Sequence, residues 1–170
     1  DAFAVDSGLT YIGTPTDELS GLDHLEGEEV VALADGNVVR NMTVVNGSVS
    51  LGVEAEKVHV GLPYTCNMRT MDLVYETRQG TTQGTFKNIK KVTFKVRDSR
   101  GILAGPNAEN LYEVKDRNVS DGYEETSLKT GDVELGVSAD WRTEADMVVR
   151  VDDPVPATIL SIAMEVDTGG

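Results

Sequence analysis

The sequence predicts an all-β fold of antiparallel hairpins forming a sandwich or barrel-like domain with little helix. Three observations carry that expectation. The runs Val30-Val31-Ala32-Leu33-Ala34-Asp35-Gly36-Asn37-Val38-Val39 and Val44-Val45-Asn46-Gly47-Ser48-Val49-Ser50-Leu51 each set a turn dipeptide in β-branched sequence. Asp-Gly and Asn-Gly supply the positive φ angles of a type I′ turn, so each predicts a tight hairpin. Third, Lys91-Val92-Thr93-Phe94-Lys95-Val96-Arg97 alternates strictly, which puts Val92, Phe94 and Val96 on one face and the basic residues on the other, the pattern of a half-buried strand.

In chain order, residues 1–22 mix Gly, Thr, Ser, Pro and Asp with short apolar pieces and read as a lead-in segment with one short strand, Leu9-Thr10-Tyr11-Ile12. Residues 23–170 read as a β-rich domain, with two packed subdomains, 23–66 and 67–170, as the alternative. Strands are expected at 28–34, 37–45 and 48–53. The next, 57–64, must end or lie at an edge at Pro63, which has no N–H to donate. Residues 68–77 fit either a strand or a helical turn, and Gly80-Thr81-Thr82-Gln83-Gly84 is a polar breaker. After the alternating strand, Asp98-Ser99-Arg100-Gly101 and Gly105-Pro106-Asn107 read as turns. Residues 128–135 lead from a loop into a strand, 146–152 form another, and Pro154 and Pro156 stiffen the approach to a last one at 158–166. No fixed-period repeat supports a solenoid or propeller.

A chain of 170 residues is long enough to bury a core without covalent staples. Its single cysteine, Cys66, excludes an internal disulfide and is expected to be a buried thiol packing as a small hydrophobe. The net charge of −14 argues against tight nucleic-acid binding, which depends on Lys and Arg displacing counterions from phosphates. That charge is uneven: −9 over residues 1–60, +5 over 67–100 and −10 over 101–170. Such a distribution fits ordinary solubility, and it also fits a surface in which a basic face of one copy meets an acidic face of the next. No apolar run is long enough for a transmembrane helix. The start, without an initiator Met or a basic segment, reads as that of an excised fragment.

Sites for chemistry are sparse. His24 and His59 have no companion ligands at zinc spacing, so a turn role and a packing role are expected of them, and no metal or cofactor is assigned. Asp121, Glu124 and Glu125, or Asp152 and Asp153, supply oxygen ligands of the kind calcium takes, but the twelve-residue EF-hand pattern is missing. No nucleophile motif marks a serine or cysteine, so no catalytic residue is assigned. The one basic patch is Lys87-Asn88-Ile89-Lys90-Lys91 with Lys95, Arg97 and Arg100. Within it Lys91, Lys95 and Arg97 are the expected basic side of a subunit contact, facing acidic residues within 109–125.

Several strings carry a family resemblance: Asp6-Ser7-Gly8-Leu9-Thr10-Tyr11, Gly21-Leu22-Asp23-His24-Leu25-Glu26-Gly27-Glu28-Glu29-Val30, Ala34-Asp35-Gly36, Val60-Gly61-Leu62-Pro63-Tyr64, Gln83-Gly84 with Lys87, and Pro154-Val155-Pro156-Ala157-Thr158-Ile159-Leu160-Ser161-Ile162. In order and spacing they resemble the C-terminal part of tail proteins of double-stranded DNA bacteriophages, of the nozzle or tail-tubular type. The resemblance implies a non-enzymatic virion component, located in the phage tail. Its partners would be identical subunits or neighbouring tail proteins packed around the DNA exit channel. The alternative from another class is a host-surface adhesin or carbohydrate-binding module of a tail protein.

Overall fold

The computed structural model describes residues 4–77, 80–114, 127–137 and 140–169. Among them the only helical element is one 3₁₀ turn, Asp23–Leu25; the rest is strand and connection. The chain divides into two compact units, Asp1–Thr65 with Asp152–Pro156, and Cys66–Val151 with Ala157–Gly170. The division falls beside the 66/67 boundary read as the alternative. It differs from that reading in giving residues 1–22 and 152–156 to the first unit.

The first unit is a four-stranded antiparallel sheet of β1 (Asp6–Ser20), β2 (Glu29–Ala34), β3 (Asn37–Thr43) and β4 (Ser48–Leu62), in the order β1-β4-β2-β3. Where one short strand was expected in the lead-in, β1 runs for 15 residues. Alternation could not reveal it, because β1 is an edge strand whose residues are nearly all partly or fully exposed. At Gly13-Thr14-Pro15 the strand bulges, between the pairs Ile12↔Lys57 and Thr16↔Ala55. A compensating irregularity on β4 lies between Ala55 and Ser50, at Gly52 with φ 70°. Bulges on both strands bend the pair, so strands this long can follow a curved core. That core contains Leu19, Leu22, Leu25, Val30, Ala32, Ala34, Val58 and Val60. At Gly61 an added Cβ would fall 2.6 Å from the Asp6 carbonyl oxygen, so only glycine admits the start of β1 this close.

Both turn dipeptides take positive φ at both central residues, Asp35 46° and Gly36 82°, Asn46 54° and Gly47 66°, as type I′ turns require. Asp35-Gly36 closes a true hairpin, with β2 and β3 paired from Ala34↔Asn37 onward. Asn46-Gly47 does not, and here the expectation is corrected. Its turn has the single bridge Val45↔Ser48, after which β4 pairs with β1 and β2 instead of β3. A turn sequence sets the local reversal, whereas the partner of the outgoing strand is chosen by burial.

The second unit packs two antiparallel sheets against each other. One contains β5 (Cys66–Arg69), β9 (Leu103–Asn107), β10 (Asn110–Glu113) and β12 (Val148–Val151), ordered β10-β9-β12-β5. The other contains β8 (Lys87–Ser99), β11 (Lys129–Gly136) and β13 (Thr158–Thr168), ordered β11-β8-β13. A two-stranded ribbon, β6 (Glu76–Thr77) and β7 (Gly80–Thr81), completes it. Ile89, Val92, Phe94, Val96, Val133 and Leu135 from the three-stranded sheet meet Ala104 and Val149 from the four-stranded one in a shared core. This is the sandwich arrangement expected of half-buried sheets. Gly105-Pro106-Asn107, read as a turn, lies inside β9. Pro106 fits there because pairing with β12 stops at Gly105 and pairing with β10 is irregular between Asn107 and Ala104.

Phe94 is fully buried in this core. Phe94→Ala is expected to lower the unfolding free energy by about 3–5 kcal/mol, read from a urea titration by circular dichroism.

Candidate functional site

Because β8 is the middle strand, its outer face is flanked by β11 on one side and β13 on the other. Val92, Phe94 and Val96 are buried and Lys95 and Arg97 are exposed, as the alternation predicts. Acidic residues are among the neighbours on those two strands. Asp132 of β11 is the register partner of Lys95, and Glu165 of β13 that of Lys91. Lys91 Nζ donates to Glu134 Oε1 at 2.7 Å, and this bond, with the charges of Glu134 and Glu165, holds its ammonium pKa above the ordinary lysine value. Lys90 is paired with Asp167 at 2.5 Å, which raises its pKa in the same way. Exposed pairs of this kind add little net stability. They do change the character of the surface, from a cationic stripe to one of mixed charge. Lys95 and Arg97 make no ion pair among the described residues.

Lys87 leaves the expected basic patch altogether. The pairs Glu165↔Lys91 and Val166↔Ile89 skip Lys90, so β8 bulges there and its side-chain phase reverses. Ile89 and Lys87 thereby turn inward, and Lys87 is fully buried. Its Nζ donates to both Asp72 carboxylate oxygens, at 3.2 and 3.3 Å, and to the Thr143 carbonyl at 2.7 Å. Burial pushes the Asp72 carboxyl up, but the Ala145 N–H at 2.6 Å and the Lys87 ammonium outweigh it, and its pKa lies below the ordinary value.

A second group of charges in the same unit escaped the sequence reading. Asp146 is buried and accepts from Arg69 Nε. Its other oxygen, without a hydrogen bond, lies 3.4 Å from an Arg142 guanidinium nitrogen. Arg142 also donates to the Pro106 carbonyl at 2.8 Å and to the Asp146 carbonyl. Arg69 and Asp146 are 77 residues apart and meet only because β5 pairs with β12 at Arg69↔Val148, so no local motif announces them.

The histidines hold the first unit together. His24 Nε2 lies 2.8 Å from the Ser7 carbonyl oxygen. His59 Nδ1 bonds Thr10 Oγ1 at 2.8 Å, joining register partners on β1 and β4, and burial lowers its pKa. Cys66 corrects the expectation of a buried thiol: it is exposed, because β5 is an edge strand with all four residues exposed. Asp153 is bound by Arg40, with Nε 2.9 Å from Oδ1. Asp121, Glu124 and Glu125 lie outside the described residues, as does most of the acidic stretch expected to face β8. Among the described residues no three His, Cys, Asp or Glu side chains converge as metal ligands.

The most specific of the quoted strings, Gly21 to Gly27, forms a clip over the Asn46-Gly47 turn. Leu22 and Leu25 are buried in the core, and the Leu22 N–H donates to the Gly47 carbonyl at 2.9 Å. Glu26 accepts the Asn46 N–H at 2.9 Å and the Gly47 N–H at 2.7 Å; these two bonds, that from Gly47 foremost, lower its pKa.

No protein-family model and no curated protein matches this chain. Functional reading therefore rests on the chain's own surface. Besides Lys95, Arg97, Tyr75 and Tyr112, the second unit exposes the aromatics Trp141 (49%) and Phe86 (57%). They adjoin one another through Gly169, whose Cβ position lies 3.3 Å from the indole ring and 3.6 Å from Phe86 Cβ.

Asp72→Ala leaves a buried ammonium without its counter-charge and is expected to cost about 3 kcal/mol or more. Lys87→Met, which removes the charge with the pair, should cost less; denaturant titration of both variants checks the order. Asp72 and Glu26 both have carboxyl pKa values depressed by folding. Their stabilising contribution is therefore complete above the ordinary carboxylate pKa and is lost as pH falls through the depressed folded-state values. Acid titration of the wild type should show it, and Asp72→Ala should have a shallower acid limb.

Proposed function

We propose that this chain is a non-enzymatic structural component of a bacteriophage tail, a nozzle or tail-tubular ring or a baseplate element. Its β-walls pack against identical or neighbouring subunits around the DNA exit channel. The observation that carries the reading is how the polar side chains are used. Lys87, Asp72, Asp146, Glu26, His24 and His59 each bind groups of their own unit. Lys95 and Arg97 are left for an outside partner, since neither forms an ion pair among the described residues. Acidic character supports the same reading, because a wall with net charge −14 repels phosphate and lets DNA slide past.

The contact is narrower than the basic patch of the sequence. Lys91 is neutralised by Glu134, so Lys95 and Arg97 form its effective part. In the protein that contains this chain, K95E with R97E is expected to weaken assembly without changing the circular dichroism spectrum. Unchanged oligomer mass by light scattering would remove the proposal.

A second reading, recognition of a host-surface sugar or protein, draws on Trp141 and Phe86. Exposed, adjacent aromatics are typical anchors of binding surfaces. Under it, a glycan array gives reproducible hits that Trp141→Ala abolishes. Under the structural reading the array is blank.

A further inference from the structure

We propose that Asn46-Gly47 is a deamidation-prone step which the Glu26 carboxylate holds unreacted in the folded chain. The chemistry is intrinsic to the dipeptide. The deprotonated Gly47 nitrogen attacks the Asn46 side-chain carbonyl carbon, a carbon–nitrogen bond forms, and the side-chain nitrogen leaves as ammonia, taking up the displaced proton. Water then opens the resulting succinimide at either carbonyl, which yields aspartate or isoaspartate at position 46. Glycine as the following residue has no side chain to hinder the attack, and Asn46 is exposed to the water the second step consumes.

Three features of the fold oppose the first step. The nitrogen that must attack has its hydrogen donated to Glu26 Oε2 at 2.7 Å, so its proton is engaged and the adjacent negative charge disfavours the amide anion. A second carboxylate reinforces this, since Asp23 Oδ1 lies 2.6 Å from the Cβ position of Gly47. The backbone is also fixed. The Asn46 N–H donates to Glu26 Oε1 at 2.9 Å, the Gly47 carbonyl accepts from Leu22, and the flanking Val45 and Ser48 exchange hydrogen bonds at 2.9 and 3.1 Å. The turn cannot swing the Asn46 amide onto Gly47 without breaking these contacts. The clip over this turn thus guards it chemically as well as mechanically, and this holds whichever function the chain serves.

The test is to incubate the folded full chain in mildly alkaline buffer and follow conversion at Asn46 by peptide mass spectrometry, with E26A and E26Q alongside. Loss of a charged hydrogen bond of this type is expected to accelerate conversion on the order of tenfold or more. E26Q serves if E26A folds poorly, because it keeps one acceptor oxygen while removing the charge. Leu51→Ala, a core variant that leaves the clip intact, controls for general destabilisation and should accelerate conversion far less than either Glu26 variant. In concentrated urea all four proteins should react at one rate. Equal rates for wild type and the Glu26 variants under native conditions would overturn the proposal. So would a wild type that reacts as fast folded as in urea, or a Leu51→Ala rate matching that of E26A.

Discussion

A strand turns its side chains alternately to two faces, and the architecture of both units follows from where that period of two is reset. In β8 the bulge at Lys90 separates an inward pair, Lys87 and Ile89, from an inward triplet, Val92, Phe94 and Val96. Without the extra residue one set or the other would face solvent. In the first unit, paired irregularities on β1 and β4 let two 15-residue strands bend around one core. Both devices use a local defect to keep apolar surface buried over a length no regular strand could manage.

Resetting the phase has an electrostatic consequence. It delivers the Lys87 ammonium into the interior, where the desolvation penalty is offset by Asp72 and by the Thr143 carbonyl. Those two acceptors lie in segments without regular structure, at 70–75 and 140–147. The buried charge therefore adds to the few backbone hydrogen bonds, such as Leu73 N–H to the Ala145 carbonyl and the Lys87↔Arg142 bridge, that hold these segments. Asp146 has a similar part, bringing Arg69 of an edge strand together with Arg142 of a loop.

Much of the fold was legible because local chemistry announces itself. Asp35-Gly36 marks its hairpin, Lys91–Arg97 marks its faces, and Pro63 marks the end of β4. What stayed hidden depends on pairing at long range. β1 is an exposed edge that lacks alternation, β4 leaves its turn to pair with β1, from Ser20↔Ser48 to Asp6↔Leu62, and Lys87 reads as surface until the bulge is known. The candidate contact was half legible. Lys95 and Arg97 are where the alternation puts them, but the carboxylates that neutralise Lys90 and Lys91 come from strands whose register the sequence does not state.

The exposed position of Cys66 makes the second unit a natural reporter of its surroundings. As the sole thiol in the sequence given, on an edge strand with one flank open, it accepts a fluorophore or spin label without engineering. The signal of such a label would then report when the open flank of this edge strand is covered.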